Sequence, residues 1–268
     1  MNETRLLAGR YQLERELGRG GMGVVYRARD LLHEQFGEPC SRVALKLLGD
    51  CLTQSSDAHV LLYSEFALTR SLRHERIVRA FSFEVDTASQ VALFTLELLH
   101  GMTLDRLLLE RPGGLPWREL QPVAVQLLDA LVYAHGQGVL HGDLKPGNVM
   151  LGEEGVRLFD FGLGHGQKQG LPSLSRNRFN AWTPAYAAPE LRDGAVPTAA
   201  ADLYGVACLL YELAQGSRAT DIQNRPRQWP RQCWPALKTA LTADPERRAI
   251  TVAELRNVIR RTPHHGWL

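Results

Sequence analysis

The sequence predicts an α+β fold of two lobes, strand-rich first and mainly helical second. Three observations carry this reading. Short apolar runs of strand character crowd the first hundred residues around a single helical pattern. Beyond Gly101 the apolar spacing becomes helical, with Val123, Leu127, Leu128, Leu131 and Val132 on one face of a long segment. No repeat or low-complexity linker interrupts the chain.

Taken in order, residues 11–17 read as a strand, followed by a glycine cluster and a second strand at 24–28. Residues 43–48 make a third apolar run. Residues 58–73 place Leu61, Leu62, Phe66 and Thr69 at helical spacing. Residues 77–84 and 90–97 complete a five-stranded antiparallel sheet with one helix. The second part offers helices at 102–109, 119–136, 202–214, 234–242 and 252–259. Pro116 and Trp117 stand at the start of the second of these, where proline is tolerated. The expected organisation is an extension (1–10), one domain (11–262) and a tail (263–268). The domain divides into lobes at 11–99 and 102–262, with a cleft between them.

Composition excludes several classes. Thirty-one Lys and Arg against 29 Asp and Glu give a formal charge of +2. That bias is too weak for a nucleic-acid or anionic-membrane partner. Cys40, Cys51, Cys208 and Cys233 form no C-x-x-C pair and read as reduced thiols. Neither a signal-peptide core nor an apolar run of about 18 residues is found, so a soluble cytoplasmic protein is expected.

Five motifs carry chemistry. Leu17-Gly18-Arg19-Gly20-Gly21-Met22-Gly23 has G-x-G-x-x-G spacing between two strands. Glycine lets backbone N–H groups approach phosphate oxygens. A dinucleotide site would need a helix next, and Val24-Val25-Tyr26 is strand-like instead. Lys46, in Val43-Ala44-Leu45-Lys46, is a charge in an apolar strand and needs a partner. Glu65 on the following helix is the natural one, Glu75 the weaker. His141-Gly142-Asp143-Leu144-Lys145-Pro146-Gly147-Asn148 sets an Asp and an Asn five residues apart on a loop. One can accept a hydroxyl proton and the other offer a hard oxygen to Mg²⁺. Asp160-Phe161-Gly162 adds a second oxygen ligand twelve positions later. Thr183-Pro184-Ala185-Tyr186-Ala187-Ala188-Pro189-Glu190, read with Asp202 and Arg248, suggests a buried Glu190–Arg248 pair. Asp202 alone would pass for a helix N-cap.

This ordered series resembles the protein kinase signature and covers residues 11 to about 259. Gly18 to Asp30 is most similar to the bacterial serine/threonine kinases of eukaryotic type. The resemblance implies a bilobal protein-kinase-like fold that uses ATP and Mg²⁺, with Mn²⁺ as a substitute, on protein substrates. It makes Asp143 the catalytic base and Lys145 the neutraliser of charge on the transferring phosphoryl. Lys46, paired with Glu65, holds the phosphates. Asn148 and Asp160 bind the metal. Leu17 to Gly23 cover the nucleotide, and Val25, Ala44 and Met150 sandwich the base. Leu96 is the gatekeeper, and the backbone of Glu97 and Leu99 meets adenine. Thr183 lines the substrate site. Lys145 before Pro146 resembles the serine/threonine class.

Three features depart from the family. Gly142 replaces an arginine that meets activation-loop phosphate in many relatives, so activity without that phosphate is expected. Ser173, Ser175 and Thr183 remain candidates for autophosphorylation. Thr69 stands where a spine leucine is usual, with Leu68 as a neighbour able to substitute. Residues 216–231 are short, and Arg218, Arg225, Arg227 and Arg231 are expected to be exposed. The alternatives are a small-molecule phosphotransferase of the aminoglycoside or choline type, and a silent pseudokinase.

Overall fold

The computed structural model describes residues 6–20, 23–48, 56–161, 165–166, 183–218 and 224–263. Gly21, Met22, Cys51, Gly162, Ser173 and Ser175 lie outside the described residues. The chain forms two compact units. The first holds the described residues up to Arg73 together with Val78–Leu99. The second holds His74–Ile77 and the described residues from His100 onward.

In the first unit, β1 (Leu6–Leu7), β2 (Tyr11–Gly20) and β3 (Gly23–Asp30) are followed by the short helix α1 (Leu31–Gln35). Then come β4 (Arg42–Leu48), α2 (Ser56–Ser71), β5 (Ala80–Asp86) and β6 (Val91–Leu96). Among the described residues the sheet has six strands, ordered β1-β2-β3-β4-β6-β5, all antiparallel. Strand periodicity gives it two faces. Val43, Leu45 and Leu47 join Leu7, Tyr11, Ala28 and Leu93 in one core cluster. Leu48 joins Leu62 and Phe66 of α2 in another, with Ala92 and Phe94. Lys46 shares the Leu48 face, so β4 turns it toward α2.

The expected five strands become six. Leu7, 1% exposed, pairs with Tyr11, and Ala8 (φ 50°) and Gly9 (φ 60°) turn the chain between them. A two-residue strand has no periodicity to read. The expected strand at 77–84 starts three residues later, because Ile77 instead bridges Leu158 of the second unit. Helix α1, not expected, is held by the Asp30 carboxylate, which accepts from the amides of Leu32 and His33.

The second unit contains β7 (Met102–Thr103), α3 (Leu104–Glu110), α4 (Trp117–Gly136) and β8 (Val139–Leu140). There follow β9 (Val149–Gly152), β10 (Gly155–Leu158), β11 (His165–Gly166), α5 (Pro189–Arg192), α6 (Ala199–Gln215), α7 (Trp234–Ala240) and α8 (Val252–Arg261). Every residue of α6 from Ala201 to Ala214 is buried, which makes it the unit's central helix. Its N-cap is Thr198, whose hydroxyl accepts from the Ala201 amide, so Asp202 is free for another task. The first two residues of the expected 102–109 helix are strand β7, drawn into the ladder by pairing with β9. Arg225, expected to be exposed, turns inward and donates to the carbonyls of Pro226 and Trp229.

Candidate active site

The first unit supplies a glycine hairpin and a buried lysine. Gly18 lies opposite Val25, Arg19 opposite Val24, and Gly20 opposite Gly23. A Cβ on Gly18 or Gly20 would meet nothing within 4 Å, and neither residue has a positive φ. Neither packing nor backbone geometry asks for glycine there. The open space over both leaves room for an outside group to approach the backbone, and phosphate oxygens on N–H groups fit that space. Leu17 is 37% exposed, and Arg19 is engaged by Glu16 at 2.7 Å. Ala44 pairs with Leu96, and Val25 with Lys46, so these residues flank the lysine in the sheet. Glu97 follows β6, and its amide donates to the Arg79 carbonyl at 2.9 Å. Leu99 ends the unit.

Lys46 is 6% exposed and Glu65 3% exposed, with Nζ and Oε1 2.6 Å apart. Glu75, the weaker alternative, has a 75% exposed side chain and pairs with Arg76. A buried charge is tolerated because it is paired and hydrogen-bonded. Thr69 and Leu68 are both buried.

The second unit supplies a catalytic-type loop between β8 and β9. Asp202 organises its start. The Asp202 carboxylate accepts from the amides of His141 (2.8 Å) and Gly142 (2.9 Å) and lies 2.9 Å from His135 Nε2. Gly142 has φ +82°, which glycine adopts without strain. The Asp143 amide donates to His141 Nδ1, leaving Nε2 to donate to the Phe159 carbonyl at 3.1 Å. The His141 ring also packs on Phe161, centroids 4.7 Å apart.

Around Asp143 three other predicted residues converge. Lys145 Nζ is 2.5 Å from Asp143 Oδ2 and donates to Thr183 Oγ1 at 3.0 Å. The Thr183 amide donates to Asp143 Oδ1 at 3.1 Å. Asn148 Nδ2 donates to the Asp143 carbonyl at 2.9 Å. With its NH₂ so used, the Asn148 amide presents its oxygen as an acceptor. The β9–β10 ladder ends at Val149 opposite Leu158, and the Phe159 amide donates to the Asn148 carbonyl. Asn148 and Asp160 therefore leave the same end of that hairpin. Asp160 holds φ +67°, a costly backbone for a non-glycine residue and one found at functional sites. Met150 lies in β9, opposite Arg157.

An amide oxygen and a carboxylate are hard donors. Among the described residues no group of three or more His, Cys, Asp or Glu is gathered for a metal. Mg²⁺ fits such a sparse set, since it keeps waters and takes substrate phosphates as ligands.

Sequence reading missed two supports. Asp202 holds the loop from a helix sixty residues away, and no local pattern announces that. The Tyr186 hydroxyl donates to Glu212 of α6, tying the Thr183 segment to the central helix. Burial and the Glu212 carboxylate raise the Tyr186 pKa.

Burial opposes ionisation of Asp202, yet hydrogen bonding and charge from His135, with help from the Gly142 amide, hold its pKa below the usual range. Burial likewise opposes ionisation of Glu190, and Arg248 outweighs it. Both groups bind fewer protons folded than unfolded, so they stabilise the fold above their unfolded pKa values. That contribution fades as pH falls through the lowered folded values. The urea midpoint should therefore hold steady from pH 7 down to about 5 and fall below about pH 4. Asp202→Asn should flatten part of that fall, which urea titrations across pH will measure.

The protein kinase domain family matches residues 11–255. Serine/threonine-protein kinase PkaA of Streptomyces coelicolor is 34% identical over 91% of this chain and 48% of its own length. The DNA damage-responsive serine/threonine-protein kinase RqkA of Deinococcus radiodurans is 37% identical over 79% of this chain and 30% of its own. The chain thus spans half or less of these relatives. A solved kinase domain of Mycobacterium tuberculosis PknI, in a mutant form, superposes with a TM-score of 0.72 at 25% identity, covering 97% of this chain and 98% of that one. With this fold and this series of motifs, the chain belongs to the protein kinase family, in its bacterial group of eukaryotic type.

Proposed function

We propose that this chain is the catalytic domain of a cytoplasmic serine/threonine protein kinase, moving the γ-phosphoryl of ATP to protein hydroxyls. The observation that carries this is the convergence of Asp143, Lys145, Asn148 and Thr183. In this reading Asp143 accepts the proton of the substrate hydroxyl as the oxygen attacks. Lys145 stands beside it to offset charge on the moving phosphoryl, and Thr183 orders the edge of the substrate site. Lys46, fixed by Glu65, holds phosphate oxygens. Glu97 and Leu99 meet adenine through their backbones, beside Leu96, Val25 and Ala44 of the same sheet. Mg²⁺, or Mn²⁺ in its place, would be held by Asn148 and Asp160 and would neutralise phosphate charge. Loop residues position, since phosphoryl transfer needs alignment and charge more than covalent chemistry. Dependence of label transfer from γ-labelled ATP on a divalent ion tests the metal assignment; transfer undiminished in excess chelator would contradict it.

A silent scaffold is disfavoured because Lys46, Glu65, Asp143, Asn148 and Asp160 are all present. The Thr183–Glu190 segment disfavours a small-molecule phosphotransferase.

Activity is expected without activation-loop phosphate. Gly142 carries no guanidinium to receive one, and the Thr183 segment is held on Asp143 and Lys145 by its own bonds. Rates before and after phosphatase treatment should agree within about twofold, on a scale where one catalytic contact is worth roughly 10²–10³. Complete loss after treatment would refute this.

A further inference from the structure

We propose that Thr69 is a positioning residue that orients the Lys46–Glu65 pair through the backbone of Glu65. This rests on the kinase reading given above. The Thr69 hydroxyl donates to the Glu65 carbonyl at 2.8 Å, one helical turn back. That carbonyl belongs to the residue whose side chain holds Lys46 at 2.6 Å. Residues i and i+4 share a helix face, so Thr69 and Glu65 are turned the same way.

Helix α2 contains its own comparison. Ser64 donates to the Val60 carbonyl at 2.8 Å and Ser71 to the Leu68 carbonyl at 2.7 Å. Ser71 is exposed and Ser64 half-buried, so water can compete for their hydroxyls. Thr69 is 2% exposed, and its hydroxyl is held in place. Leu62, Phe66, Leu68 and Leu72, buried on the same helix or at its end, are all apolar. A hydroxyl among them is not what burial alone selects.

A hydroxyl bonded to the i−4 carbonyl competes with the helical N–H for that oxygen. It tilts the carbonyl outward and bends the helix at that turn. Here the turn that carries this bond is the one that bears Glu65. Because Lys46 and Glu65 are both buried, little slack remains to absorb a change in the direction of Glu65.

Thr69→Val keeps the shape and removes only the donor; the Glu65 carbonyl retains its helical position. Binding of a fluorescent ATP analogue, KM for ATP, kcat and the melting temperature should be measured for wild type, Thr69→Val, Thr69→Ser and Ser71→Ala. Thr69→Val should weaken analogue binding and raise KM for ATP by about three- to tenfold, a modest share of what misalignment can cost. Its melting temperature should stay within about 3 °C of wild type, since removing a hydroxyl without leaving an unmet partner is nearly neutral. Thr69→Ser should restore both, and Ser71→Ala should match wild type. Unchanged binding and KM in Thr69→Val would overturn the proposal. So would a change that follows a fall in melting temperature and is not rescued by serine. Analogue binding is read without any transfer reaction, so failure of the kinase reading shows separately, as wild-type protein that binds the analogue and transfers no phosphate.

Discussion

Asp143→Ala is expected to cut phosphoryl transfer by about 10²–10³ while nucleotide binding persists, the scale seen for loss of one transition-state contact. Asp143 makes contacts to Lys145 and the Thr183 amide through its carboxylate and to Asn148 through its carbonyl. Alanine removes the proton acceptor and leaves Lys145 with Thr183 alone among these partners. The carbonyl that anchors Asn148 is backbone and survives. Nucleotide affinity, carried by the glycine hairpin and Lys46 in this reading, should change by less than about threefold, or under about 1 kcal/mol. Single-turnover assays with isothermal titration separate the two effects. A variant that transfers phosphate at the wild-type rate would remove Asp143 from the base role.

Arg248→Ala is expected to destabilise the fold by about 3–5 kcal/mol, the scale for breaking a buried charge pair. Its side chain is fully buried. The guanidinium donates to both Glu190 oxygens, at 2.7 and 3.1 Å, and to the carbonyls of Ala200, Thr242 and Ala243. It also lies 5.0 Å from the Tyr204 ring centroid. Alanine strands the Glu190 carboxylate and several carbonyls at once. Lysine keeps the charge but loses the planar fork, so Arg248→Lys should recover only part of the loss. Urea unfolding of the variants measures this. A shift under about 1 kcal/mol for Arg248→Ala would place the pair among the weak surface type.

The chemistry was more legible in the sequence than the scaffold that holds it. Asp143, Asn148 and Asp160 sit at fixed spacings on short loops, where local motif and local geometry coincide. The Lys46–Glu65 pair could be inferred because a lysine in an apolar strand demands a partner and the next helix offered a glutamate. The Glu190–Arg248 bond was suggested by motif order and is met in the structure. Asp202 was not legible, because its partners are backbone amides of His141 and Gly142, and an amide leaves no trace in residue identity. Strand β1 and helix α1 were also hidden. Each is shorter than the window in which periodicity can be seen, and each is fixed by tertiary contacts: Leu7 with the sheet core, Asp30 with Arg10 at 2.7 Å. Arg225 shows the reverse case. Composition marks an arginine-rich stretch as solvated, while the carbonyl of Trp229 draws one of its members inward.

On the proposed function, this chain phosphorylates serine and threonine hydroxyls of proteins. This is tested most directly by incubating the purified chain with γ-labelled ATP, Mg²⁺ and a generic protein substrate, then identifying the labelled amino acids after acid hydrolysis. Labelled phosphoserine and phosphothreonine are expected, with the yield cut by about 10²–10³ in Asp143→Ala. Label confined to phosphotyrosine, label passing only to a small alcohol such as choline or an aminoglycoside, or no transfer from a preparation that binds ATP, would contradict the proposed function.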